Sequence, residues 1–219
     1  MIGDKQKASV LSVQYIPNAD PALLRSLSVP DHVRSLGVIT SDCDDVSYVA
    51  MDEATKKAAV CVVYAKSFYA GSTNASTRLA GEFIGILGGA TPAEVSSGVA
   101  AAVRCIEQEA HFVSADENDS VVYFAHCISR TGSYLSEQAA VPEGTAMAYL
   151  IAPPAEATVG LDAALKAADV SLRVYYGPPT ETNFAGGLLT GDQAACLAAC
   201  QAFSEAVCNV ARTPIADLD

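Results

Sequence analysis

Lys57-Ala-Ala-Val-Cys-Val-Val-Tyr64 recurs as Lys166-Ala-Ala-Asp-Val-Ser-Leu-Arg-Val-Tyr-Tyr176. The likeness extends to both sides of the match. An acidic, alanine-rich helical stretch precedes each copy, Asp52-Glu-Ala-Thr in one and Leu161-Asp-Ala-Ala-Leu in the other. A loop of small polar residues containing an asparagine follows each, Lys66 to Asn74 and Gly177 to Asn183. The register offset is roughly 110 residues, far beyond the ~20–50 of solenoid repeats, so each copy is the size of a domain. The chain divides on this reading into residues 1–109 and 110–219, joined near Glu107 to Asp119, where Asp116-Glu-Asn-Asp119 reads as an exposed turn.

The rest of each half runs in parallel. Ala80-Gly-Glu-Phe-Ile-Gly-Ile-Leu87 answers Phe184-Ala-Gly-Gly-Leu-Leu189, strands with glycines where backbones approach closely. Thr91-Pro-Ala-Glu94 supplies an N-cap, a proline at the first helical position and an acid at the third, opening a helix over Val95 to Ile106. Thr190-Gly-Asp-Gln193 opens its equivalent. At the front of the halves, Ser9 to Ile16 and Ser35 to Thr40 alternate as strands, with Val121 to Ile128 and Ala146 to Ile151 as counterparts. Each module is thus an α/β, or α+β, layer of ferredoxin-like type, strands on one side and helices on the other.

A module that once built a symmetric ring can be fused to itself without losing its contacts, and the two fused positions are then free to diverge. The loops have diverged: Phe68 and Tyr69 in the first, Pro178, Pro179 and Glu181 in the second. Charged residues make up only 17% of the chain, below the usual quarter, as expected where edges are covered by neighbours and also where a chain is simply rich in alanine. The net charge of −12 and the lack of a Lys/Arg-rich run exclude nucleic acid and anionic membranes as expected partners. Met1 to Lys7 has no apolar signal core, and no segment reads as a bilayer span, so the expectation is a soluble cytoplasmic protein. The 7 cysteines, set mostly among alanines and valines, read as buried thiols of a reducing compartment.

Motifs for chemistry are sparse. Leu36 to Asp45 is a buried strand ending in Asp42-Cys-Asp44-Asp45, which suits an aspartyl phosphotransferase in which one acid attacks phosphorus. Val46 and Ser47 stand where that motif carries Gly-Thr, and the counterpart strand ends in Ala152-Pro-Pro without the pair. The alternative is a solvated turn that caps the helix near Asp52. His32, His111 and His126 are scattered, and Cys196 with Cys200 shares a helix face without a second ligand pair. Ser129-Arg-Thr-Gly-Ser-Tyr134 lacks the spacing and lysine of a phosphate loop, so Arg130 reads as bracing a turn or interface. No catalytic residue, metal site or cofactor is expected.

Ser35-Leu-Gly-Val-Ile, Asp44-Asp-Val, Asp52-Glu-Ala-Thr-Lys56, Ser129-Arg-Thr-Gly-Ser-Tyr-Leu135, Ala152-Pro-Pro, Asp162 to Val170, Pro179-Thr-Glu-Thr-Asn-Phe184 and Leu189-Thr-Gly191 together resemble the EutL family. These are tandem-domain shell proteins of the bacterial microcompartment for ethanolamine utilization. The resemblance covers nearly the whole chain and implies two circularly permuted BMC (bacterial microcompartment) domains. It further implies a homotrimer forming a pseudohexameric tile, packed edge to edge with other shell proteins in the cytoplasm. It implies small acidic pores lined by Asp44, Asp45, Glu82 and Phe112, which would take the ammonium of ethanolamine. A central pore would be gated by loops that include Phe68, Tyr69, Asn74, Thr180, Glu181, Thr182, Asn183 and Phe184. A second implied role is an ethanolamine-binding sensor in which occupancy switches the loops.

Overall fold

Alternating apolar and polar residues put one face of a strand on a core, and a 3.6-residue period does the same for a helix. The first half carries these patterns as β1 (Lys5–Lys7), β2 (Val10–Ile16), α1 (Pro21–Ser26), β3 (Ser35–Ser41), α2 (Asp44–Lys57), β4 (Val60–Ser67), β5 (Phe83–Gly89) and α3 (Pro92–Arg104). A π-helical turn, Cys105–Glu109, leads into β6 (His111–Ser114). The second half continues with β7 (Val122–Ile128), α4 (Ser133–Ala139), β8 (Ala146–Ala152), α5 (Pro154–Ala167), β9 (Ser171–Tyr176), β10 (Ala185–Gly191) and α6 (Gln193–Arg212). This computed structural model describes residues 1–68, 79, 81–178 and 180–215.

The duplication is written in the sheet order. One sheet runs β2-β3-β5-β4; the other contains β7-β8-β10-β9, the same order at equivalent positions, extended by β6 and β1. Neighbouring strands pair antiparallel, with Ser35–Ser41 meeting Phe83–Gly89 and Ala146–Ala152 meeting Ala185–Gly191 in full register. Two compact units result. One comprises residues 7–110 with 132–137; the other comprises 1–6, 111–131 and 138–219. The strip expected to be a bare link therefore holds the π-turn and β6, and only its end, residues 117–119, is exposed turn.

The helix starts follow local chemistry. Thr91 accepts from the Glu94 N–H and Glu94 returns a bond to the Thr91 N–H, a complete capping box with Pro92 at the first helical position. Asp192 caps α6 through the Ala195 N–H at 2.7 Å. In the unit of residues 7–110 the helices close on the sheet where β3 is bare: a Cβ on Gly37 would stand 2.5 Å from a Val99 methyl. In the other unit Leu150, Leu189, Leu161, Cys196, Cys200, Phe203 and Val207 form one core between β8, β10, α5 and α6.

Contrary to the expectation of no bilayer-length segment, α6 is long and apolar enough by length and composition to cross a membrane. Its buried face of Cys196, Ala199, Cys200, Phe203 and Val207 packs in the core just described; 33% of that apolar window is buried, while Leu197 is 61% exposed. The cysteines also divide: Cys105, Cys196 and Cys200 are buried, whereas Cys43, Cys61, Cys127 and Cys208 are partly exposed.

Candidate functional site

The end of β3 turns directly into α2, and the turn carries four side chains of interest in a row: Asp42, Cys43, Asp44 and Asp45. Asp42 is anchored outward, its carboxylate accepting the Ser9 N–H of β2 at 2.6 Å. Asp44 and Asp45 begin α2 itself, each only 7% exposed. The expected solvated turn is thus replaced by a buried helix start, where the four unpaired N–H groups and the helix dipole favour negative charge. Asp44 accepts the Asp45 N–H at 2.8 Å. Beneath them the hydroxyls of Ser41 and Ser47 lie within hydrogen-bond distance of each other and of the Cys43 carbonyl, one donating to that carbonyl and the other donating to it or to its fellow hydroxyl. That net fixes the turn from below.

Glu82 reaches the same place from another strand. Gly81 precedes it with φ +63°, and a Cβ there would lie 2.0 Å from the Ser41 carbonyl oxygen. Only glycine fits so close an approach. The payoff is the Glu82 N–H donating to that same carbonyl at 2.9 Å, which sets Glu82 beside the β3–α2 turn. Burial, then the Asp44 carboxylate, then Asp42, push the Glu82 carboxyl from 4.5 up to about 7. Burial and the Asp45 carboxylate push the Cys43 thiol well above its ordinary value, with Asp44 and Glu82 adding to it. Cys43 is therefore a neutral S–H here, unsuited to nucleophilic work. The arrangement concentrates negative potential at one spot, which attracts a small cation and asks for no bond-making group.

The sequence-predicted site residues fall into two groups. Asp44, Asp45 and Glu82 converge in the unit of residues 7–110. Phe112 belongs to the other unit, stacked on Phe124 at 5.3 Å and meeting Phe184 edge-on at 5.8 Å. Phe68 donates its N–H to the Glu82 carbonyl at 2.8 Å. Thr180 to Phe184 forms a tight turn: the Thr180 hydroxyl donates to the Phe184 carbonyl, and Asn183 takes φ +62°. Glu181 and Asn183 are exposed on it, while Thr182 is half-buried. Tyr69 and Asn74 lie outside the described residues.

Sequence reasoning missed the residues that hold the site in place. Tyr48 of α2 meets Phe83 edge-on at 5.1 Å and pairs with the Ser67 hydroxyl at 2.8 Å. Tyr134 stacks on Tyr48 at 6.3 Å. In the other unit Phe124 and Tyr149 continue the aromatic cluster behind Phe112. An aromatic one turn after an acidic helix start was the one available signal.

The BMC domain model matches residues 35–117, which span the acidic turn, Glu82 and β6. The bacterial microcompartment shell protein EutL of Clostridium perfringens is 59% identical over 215 residues, covering 98% of this chain and 99% of that protein. The chain belongs to the EutL family of bacterial microcompartment shell proteins. The EutL shell protein of Salmonella typhimurium is 50% identical over 212 residues, 97% of each chain. The crystal structure of EutL from Leptotrichia buccalis superposes with a TM-score of 0.96 at 63% identity, covering 99% of this chain and 100% of that one. Two sheets of equal strand order are thus the tandem BMC domains of an EutL-type subunit, and its work is structural, within a microcompartment shell.

Proposed function

We propose that this shell subunit closes with two further copies into a pseudohexameric tile that packs edge to edge with other shell proteins in the cytoplasm. The two BMC domains, residues 1–109 and 110–219, fill alternate positions of that ring, each a circular permutation of the ordinary BMC order. A small acidic channel formed around Asp44, Asp45 and Glu82 passes or holds a small ammonium compound, with ethanolamine as the ligand the family name suggests.

The observation that carries this reading is the convergence of three carboxyls from two separate strand ends, one of them pushed to about 7 by burial and by its acidic neighbours. A cation entering there relieves mutual repulsion, and selectivity follows from size and charge without any catalytic group. The loops 66–74 and 177–183 are proposed as the central gate. The contact of the Phe68 N–H with the Glu82 carbonyl favours a sensing role alongside transport, because it ties the start of the first loop to the acidic site. Occupancy that favours one arrangement of that bond shifts the loop population.

Two measurements test this. Sedimentation of the purified protein is expected to give the mass of three chains, and a monomer overturns the tile. Calorimetric titration with ethanolamine is expected to show binding that weakens at least tenfold in Glu82→Gln. Unchanged affinity removes the acidic site from the reading and leaves the tile standing.

A further inference from the structure

Ser35, at the start of β3, is 1% exposed, and its hydroxyl oxygen is the one buried side-chain polar atom among the described residues with no hydrogen-bond partner. Other buried hydroxyls are served: Ser41 and Ser47 pair together, and Thr190 accepts from the Arg173 guanidinium at 2.9 Å. A buried hydroxyl left unpaired costs about 1–3 kcal/mol, so an orphan beside empty space points to something that completes it.

Ser35 borders a cavity of about 210 Å³, lined also by Tyr15, Pro17, Leu36, Pro92, Val95 and Ser96. The sequence makes this hole in a definite way. Strand residues two apart share a face, so Ser35 projects on the side of Gly37, toward α3. At Gly37 the helix sits hard on the strand, with Val95 and Val99 methyls under 3 Å from an added Cβ. At Ser35 the same face reaches the first two turns of α3, where Pro92 and the small Ser96 leave the space unfilled. The cavity is distinct from the acidic site. It opens at the opposite end of β3, about 20 Å away at the usual strand rise.

The lining holds two serine hydroxyls and a tyrosine, otherwise proline and aliphatic groups; no carboxylate, ammonium or guanidinium borders it. A charged ligand would find no partner of opposite sign along this wall. A lone water is poorly served too, since an ordered water needs 2–4 polar partners and this wall is mostly apolar. At roughly 30 Å³ per water-sized group the space takes about seven such groups. We propose that the cavity is a site for a small neutral molecule with an aliphatic body and one hydroxyl or carbonyl oxygen. The body lies against Val95 and the prolines, and a turn of the Ser35 hydroxyl about its Cα–Cβ bond brings it to the ligand oxygen.

1-Butanol is the probe, read by saturation-transfer NMR in solution and by crystal soaking, with n-butylammonium as the charged control of equal length. The wild type is expected to bind butanol in this cavity with its oxygen on Ser35, and to exclude the ammonium there. Ser96→Trp, a change at an exposed position, is expected to abolish the signal. Ser35→Ala, checked for folding by circular dichroism, is expected to weaken binding about fivefold, the worth of one hydrogen bond. The proposal is overturned if butanol binds only at soaking concentration, if only water is found on Ser35, or if Ser96→Trp leaves binding unchanged. Equal affinity of Ser35→Ala and wild type overturns it as well.

Discussion

The carboxylate of Asp52 accepts the backbone N–H of Gly132 at 2.7 Å, across 80 residues of chain. Its other oxygen accepts the Leu135 N–H at 2.9 Å, and the residue has no exposed surface. One side chain of α2 therefore holds the entry to α4, residues 132–137, within the unit of residues 7–110. Asp52→Ala leaves two buried donors without partners and is expected to lower stability by about 2–4 kcal/mol. Chemical denaturation read by near-ultraviolet circular dichroism, which reports Tyr48 and Tyr134, checks it; a loss under half a kcal/mol would contradict the latch.

Gly81 sets the position of Glu82. Replacement by alanine forces a left-handed residue to accept a Cβ and drives that carbon into the Ser41 carbonyl. Gly81→Ala is expected to cost about 2 kcal/mol or more. It should also return the Glu82 titration toward the ordinary carboxylate range, seen by NMR of the labelled glutamate carboxyl. A stable variant with an unmoved titration would mean that the Gly81 geometry does not position the acid.

The Glu82 carboxyl gives stability a definite pH slope. Its pKa rises from 4.5 in the unfolded chain to about 7 in the fold, so between these values the folded state holds the extra proton. Stability contributed by this group consequently falls as pH rises from about 4.5 to about 7 and stays lower above that. Glu82→Gln, which cannot ionise, is expected to melt several degrees higher than wild type at pH 8 and to match it near pH 4. Parallel melting curves across that range would show that burial and the Asp44 and Asp42 carboxylates do not raise the Glu82 pKa.

Cys127 of β7 packs against the core cluster that holds Cys200 of α6, its Sγ donating to the Gln193 carbonyl at 4.0 Å, and the neighbouring Cys200 thiol brings the Cys127 thiol from 9.0 down to about 7. Cys127 is the partly exposed member, Cys200 the buried one. Cys127 should label first with a small maleimide, half-maximal in rate near pH 7. In Cys200→Ser or Cys200→Ala the rate at pH 7 should drop several-fold as the thiol recovers its ordinary acidity. Mass-spectrometric mapping of the labelled peptide decides; labelling led by Cys43, whose thiol is pushed upward, would refute the assignment.

What the sequence made legible was local in origin. The Thr91-Pro92-Glu94 capping box needs only four consecutive residues, and the structure reproduces it bond for bond. The repeated strands were visible because each alternates within its own window. The same grammar stands at Asp20-Pro21, where Asp20 caps α1 through the Ala22 N–H, yet six residues are too few to show a helical period. What stayed hidden depends on distance along the chain. Asp52 reads as one more acid in a charged helix until Gly132 is brought to it. Cys127 looks like a strand cysteine until α6 lays Cys200 over it. Of the acidic site, Asp44 and Asp45 were visible as a pair; Glu82 entered only through family likeness, since no spacing rule links residues nearly forty apart.

The strand β1 belongs to the six-stranded sheet, where Gly3 and Asp4 bond the backbone of Ser114 on either side. On the ribosome this sets a timetable. The sheet of β2 to β5 has all its strands once α3 has emerged, whereas residues 3–7 must wait until β6 is synthesised, a delay of about 5–20 s at ordinary elongation rates. Once the sheet of β2 to β5 has closed, β1 is the one strand made so far that is still unpaired, open to whatever chaperone or neighbouring chain reaches it first.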